Sequence, residues 1–198
     1  MSRSYGGRSA EDRTAGRRSR LIDAGMTVVG TQGVAALGMR AVCREAELSQ
    51  KFFYESFVDT DALLYAVYGA ALSRLEEAVQ PALRTGNLAG IIDAAAQLME
   101  RDPRICRILL IEPIADQRLR VHVRALAPAF GPLLLGGIVS GDPGDPRVRM
   151  RYSGLSGAII SLFIEWTEGN LGDDRDAFVA HVASVAERLT GVTLPDAT

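Results

Sequence analysis

Lysine is nearly absent from this sequence: Lys51 is the only one among 22 basic residues. Other chemistry-bearing residues are as scarce. The two cysteines, Cys43 and Cys106, stand far apart inside expected helices, where they could pair only by coincidence, so buried free thiols are expected. The two histidines, His122 and His181, have no metal-type partner at i+4. There is no Cys-based zinc spacing, no Gly-rich phosphate loop and no serine elbow. Asp173, Asp174 and Asp176 read as acids at a helix start, where the dipole favours them. An enzyme is therefore not expected, nor is a metal or cofactor. No apolar run approaches the roughly 18 residues of a membrane span. The longest are Ile159–Ile164 and the Gly-interrupted Pro132–Val139. The N-terminus is rich in Arg, Ser and Gly and lacks an apolar signal core, so the expected location is the cytoplasm.

What is present is an ordinary globular composition, 47% hydrophobic and 23% charged over 198 residues. The net charge of −2 hides a division. Residues 1–57 hold nine Arg/Lys and six Asp/Glu, whereas the rest holds 13 Arg and 18 Asp/Glu. A basic front on an acidic body suggests an anionic partner for the front.

Apolar periodicity is helical almost throughout, and no stretch alternates as a strand would. Residues 1–14 read as a mobile Arg/Gly/Ser arm. Leu21, Ile22, Gly25, Met26, Val28 and Val29 then form a stripe that stops at Gly33. Met39, Val42, Cys43 and Ala46 give a short second helix, and Ser49 is placed to cap a third. Asp59 caps a long fourth helix that Pro81 is expected to end. A fifth covers Leu88–Arg101, and a sixth opens at Asp102-Pro103 and is expected to end at Pro113. The seventh, Asp116–Leu135, should be irregular at Pro128, and "GDPGDP" at 141–146 is a turn. Two further amphipathic helices carry Leu155, Ile159, Leu162 and Trp166, then Phe178, Val182, Val185 and Leu189. The fold class is all-α, with about nine helices. Its domains are expected at 15–58, a three-helix unit with a helix-turn-helix, and 59–198, a longer helical body.

The densest signal is "SQKFFYESF", Ser49–Phe57, which sets four rings around the single lysine. A short helix, a tight turn and a second short helix form the helix-turn-helix pattern, whose second helix enters the major groove. Phe53 and Phe57, one turn apart, face inward as core anchors. Gln50, Lys51, Phe52, Tyr54 and Glu55 are left to the outside or the rim. Such geometry also occurs in proteins that never touch DNA, so a helical ligand-binding or protein-interaction module is the alternative reading.

Arg20 to Leu64 resembles the DNA-binding domain of tetracycline-repressor (TetR) family regulators. Gly33, Val42-Cys43, Ala46-Glu47-Leu48-Ser49, Tyr54, Phe57 and Leu63-Leu64 occupy the family's usual places. The later "EWTEGNL" before a final helix resembles, more loosely, the region where two subunits pair. Four positions depart from the pattern. Glu47 replaces a turn glycine, Thr60 a lysine, Ser56 a frequent histidine, and Gly38 a capping Thr or Ser.

The resemblance implies a regulator, a repressor by default, that binds a palindromic duplex operator as a homodimer and is released by a small-molecule inducer. Matching positions assign Arg40, Tyr54 and Thr60 to phosphates, and Gln50, Lys51 and Phe52 to base edges, beside Ser49. Glu55 would repel phosphates or accept from a cytosine amino group. Arg17, Arg18 and Arg20 are either further DNA contacts or a solvated charge run. The inducer pocket would be walled by Tyr65, Tyr68, Met99, Cys106, Arg107, Leu110, Phe130 and Phe163, with Arg107 and Glu112 able to pair instead. The dimer would use Leu155, Ile159, Leu162, Trp166, Phe178, Val182, Val185 and Leu189, stripes too apolar for two isolated helices.

Overall fold

The computed structural model describes residues 10–135, 142 and 144–190, with side chains at all of these except 10, 127–135 and 190. Every regular element among them is helical. Helix α1 (Ala10–Gln32) is followed by a 3-10 turn (Val34–Ala36), α2 (Met39–Glu45), α3 (Gln50–Ser56), α4 (Thr60–Thr85) and α5 (Leu88–Arg101). Helix α6 is composite: an α turn Arg104–Cys106, a π segment Arg107–Ile111 and an α turn Glu112–Ala115. The last three are α7 (Gln117–Leu135), α8 (Pro146–Thr167) and α9 (Arg175–Thr190). The expected all-helical fold is thus observed, with nine helical rods among the described residues.

The chain forms two compact units, one up to Ala71 and one from Leu72. The first is larger than the expected 15–58. Helix α1 begins at Ala10, so the back of the supposed arm is helical, with Glu11 and Asp12 complementing the dipole in its first turn. Residues 1–9 lie outside the described residues. At the other end, the first turns of α4 pack on α1. A Cβ on Gly25 would lie 2.6 Å from the Val67 Cγ2 and 3.6 Å from the Leu63 Cδ1, so only glycine lets the two helices approach this closely. Leu21, Met26, Val29, Val42, Phe53, Leu63, Leu64 and Val67 are fully buried here. Of the stripe residues named from the sequence, only Ile22 and Met39 are half-exposed.

Two prolines do not do what was expected of them. Pro81 lies inside α4, which continues to Thr85. Its ring is exposed, so the carbonyl that loses its donor can turn to water. The stop comes instead at Gly86 (φ 65), with the Asn87 N–H donating to the Ala82 carbonyl and the Gly86 N–H to that of Leu83. Pro113 likewise does not end α6. The wider π turn precedes it and relieves the crowding its ring would cause in a tight α turn. Helix α7 is continuous through Pro128. Residues 141 and 143 lie outside the described residues. In the rest of the 141–146 turn the Gly144 N–H donates to the Asp142 carboxylate at 2.8 Å, and Asp145 caps α8 through the Arg147 N–H at 2.8 Å.

The second unit repeats one device. Asp102 and Asp116 each accept from the backbone N–H two residues on, and from the guanidinium of the arginine there, Arg104 (2.7 Å) and Arg118 (2.8 Å). The hydrogen bond from Arg104, helped by the charges of Arg104 and Arg74, holds the Asp102 carboxyl below its ordinary 3.8. A depressed folded value means stability that is complete above the ordinary value and lost as pH falls through the lower one. Asp102→Asn should therefore be less stable than wild type by a constant margin at neutral pH. That margin should shrink below about pH 4, the ordinary carboxylate range. Urea unfolding across pH 2–7 measures it. Elsewhere, Arg175 ties α9 to α5 by ion pairs of 2.9 Å to Asp93 and to Glu100. Trp166 stacks on Phe178 at 4.5 Å, and Phe163 meets Phe178 edge-on at 5.1 Å.

Candidate nucleic-acid interface

Helices α1, α2 and α3 contact one another, and the turn between α2 and α3 sets their angle. That turn is a Schellman close. The Leu48 N–H donates to the Cys43 carbonyl at 2.9 Å, and the Glu47 N–H to that of Arg44 at 3.2 Å. The geometry requires a left-handed residue at Glu47, and Glu47 adopts φ 51, the one non-glycine with positive φ among the described residues. The missing glycine thus leaves the turn unchanged and stores strain of about 1 kcal/mol. Ser49 has the extended backbone of an N-cap, but its hydroxyl makes no cap hydrogen bond, contrary to expectation. Asp59 does cap α4, accepting from the Ala62 N–H at 2.7 Å.

Helix α3 divides its rings as its period demands. Phe53 and Phe57 are buried, 6.0 Å apart, and seat the helix in the core. Tyr54 is 61% exposed, with its ring edge-on to Phe53 at 5.5 Å. Ser49, Gln50, Lys51 and Glu55 are exposed, and the Lys51 side chain keeps 80% of its surface. Arg40 is exposed on α2, and Thr60, first residue of α4, is half-buried. Ser56 turns its hydroxyl back to the Phe52 carbonyl at 2.9 Å.

The arginines of α1 have a role that neither sequence reading contained. The Arg17 guanidinium lies over the half-buried Phe52 ring at 4.5 Å and reaches Glu55 at 3.7 Å. Arg18 covers the Phe57 ring at 4.8 Å, and the Arg20 guanidinium donates to the Ala46 carbonyl at 2.6 Å. They clamp α3 and its turn onto α1. One face of the Phe52 ring is accordingly covered by Arg17, and the residue as a whole stays half-buried. The sequence signal was the set of three arginines facing a crowd of rings.

The other expected sites are more dispersed. Tyr65, half-buried, and Tyr68, buried with its hydroxyl pushed up to about 12, belong to the first unit. In the second unit Met99 and Cys106 are buried and Leu110 is half-buried. Burial raises the Cys106 thiol, which lies 3.1 Å from the Thr167 hydroxyl. Arg107 pairs with the buried Glu112 at 2.9 Å, as the second of its two expected roles required. Phe163 belongs to the aromatic cluster, and the Phe130 side chain lies outside the described residues. Of the proposed dimer stripe, Leu155, Trp166, Phe178 and Val182 are interior to the chain itself. Those four are spent on internal packing, while Ile159, Leu162 and Val185 are half-buried and Leu189 is exposed.

Residues 21–67 match the family of bacterial regulatory proteins named tetR. Over these residues the chain is similar to that family. Solved structures extend the likeness to the fold of most of the chain. A TetR-like transcriptional regulator from Rhodococcus sp. RHA1 is 19% identical, with TM-score 0.68 over 87% of this chain and 94% of that one. FadR from Bacillus subtilis, in complex with stearoyl-CoA, is 18% identical, with TM-score 0.68 over 88% and 99%. NalD from Pseudomonas aeruginosa, the secondary repressor of the MexAB-OprM multidrug efflux pump, is 19% identical, with TM-score 0.63 over 89% and 96%. No curated protein sequence matches the chain. The chain therefore has the fold of these TetR-type regulators, with a helix-turn-helix at its front. Among its described residues no helix is long and apolar enough to cross a membrane.

Proposed function

We propose that this TetR-type chain is a cytoplasmic, non-enzymatic repressor that reads a palindromic operator as a homodimer and leaves it when a small molecule binds the second unit. One observation carries the reading. Helix α3 buries Phe53 and Phe57 while presenting Gln50, Lys51 and Tyr54 on its opposite side, all exposed. Gln pairs with adenine and Lys with guanine in the major groove, and Tyr54, with Arg40 and Thr60, supplies phosphate contacts. A single head offers few base contacts, so two are needed. Ile159, Leu162, Val185 and Leu189, with the exposed Gly154, Gly157 and Ser161 of α8, are the surface left for a second subunit. Release follows if the inducer binds better to a head spacing that does not fit the operator. Helix α4 is the element that would transmit it, and Tyr68, Met99, Arg107 and Leu110 are candidate pocket residues.

The test uses operator fragments recovered by genome-wide capture of bound DNA. Lys51→Ala should lose about 1–3 kcal/mol of discrimination at one base pair, the size of a good base contact. Its dimerisation, measured by sedimentation, should be unchanged. Equal operator affinity of variant and wild type would remove Lys51 from the reading surface.

A further inference from the structure

The reading face of α3 carries a negative charge where a DNA-binding helix is expected to be positive. Glu55 stands one turn after Lys51, and its Oε1 lies 3.9 Å from the Lys51 Nζ. Its Oε2 lies 3.7 Å from the Arg17 guanidinium, so two cations share one carboxylate. Arg17 is held there by two further contacts: its NH2 donates to the Thr14 hydroxyl at 3.0 Å and its guanidinium lies over Phe52 at 4.5 Å. The Lys51–Glu55 separation is longer than a hydrogen bond, so Lys51 remains free to turn to a base edge.

We propose that Glu55 is a specificity-setting residue of the head: held on the reading face by Arg17 and Lys51, it weakens binding to duplex DNA of any sequence and leaves correct base contacts as the source of affinity. The inference rests on the DNA-binding reading and adds a role to it. The phosphate attraction that drives non-specific binding is sequence-blind, and a carboxylate facing the same phosphates opposes it equally at every site. Discrimination is the difference between the two affinities, so a uniform repulsion combined with selective base contacts sharpens it. Arg17 is a positioning residue in this scheme, since it keeps the carboxylate from closing on Lys51.

The experiment compares wild type, Glu55→Gln and the control Glu77→Gln, an exposed glutamate on α4 that gives the same change in net charge. Each is titrated against random-sequence duplex and against the operator, and eluted from a heparin column with salt. Glu55→Gln should bind random duplex roughly fivefold tighter, about the effect of one surface charge. It should elute from heparin at higher salt, and its ratio of operator to random affinity should fall. Glu77→Gln should show none of this. Arg17→Ala should weaken operator binding, and Arg17→Ala/Glu55→Gln should recover most of the loss. An affinity loss in Glu55→Gln confined to one operator base pair would make Glu55 a base reader and overturn the proposal. So would behaviour identical to Glu77→Gln. If no duplex binds even wild type, the DNA-binding reading itself fails. Heparin elution then still decides on Glu55, because unchanged elution means that its charge does not screen the face.

Discussion

Trp166→Ala should destabilise the second unit by about 3–5 kcal/mol, the usual cost of emptying a large aromatic site. The ring is buried, stacked on Phe178 at an interplanar angle of 13° and edge-on to Phe163 at 6.4 Å. Alanine would forfeit both the burial and the ring pairing, and Leu155 and Val182, buried on the same two helices, have no freedom to collapse into the gap. Guanidinium unfolding followed by circular dichroism measures the loss. A change under 1 kcal/mol would mean that α8 and α9 are not held by this cluster. Because Trp166 is the only tryptophan, fluorescence excited selectively at tryptophan reports on this cluster.

Phe53→Ala should have a comparable effect on the first unit, again about 3–5 kcal/mol. Phe53 is the largest fully buried side chain among the described residues and the anchor of a helix only seven residues long. So short a helix has almost no intrinsic stability and keeps its shape by packing. Duplex affinity should therefore fall with stability even though Phe53 touches no DNA. Phe53→Leu refills most of the volume and should cost about 1 kcal/mol, with duplex binding kept. If Phe53→Ala bound duplex as wild type does, α3 would not depend on this anchor for its seat.

These two residues also show what the sequence could disclose. The period of three to four placed Phe53 and Phe57 inside and Gln50 and Lys51 outside, because the sides of a helix follow from spacing alone. Gly33 and Asp59 were legible as stops and caps because their chemistry is local. The prolines were not. Whether Pro81 ends a helix depends on the exposure of the carbonyl it strands, and Pro113 is accommodated by a π turn that no pattern announced. Spacing marked Leu155, Trp166, Phe178 and Val182 as apolar, but not whether they face a neighbouring helix or a second subunit. In the chain they face inward. The seat of Arg17 on Phe52 was hidden for another reason: a cation–π contact between distant helices depends on where the chain returns, and an arginine in sequence looks equally ready for solvent, phosphate or ring.

The solitary ammonium of Lys51, 80% uncovered, has a practical bearing on how the protein is handled. Amine-directed reagents find one side-chain target, and it sits in the middle of the proposed recognition helix. Tethering by carbodiimide coupling, labelling with succinimidyl dyes or lysine-specific cross-linking would cover the proposed reading face. The same chemistry becomes an asset when blocking is the aim: on the proposed reading, acylation of this one side chain should abolish duplex binding without a mutation.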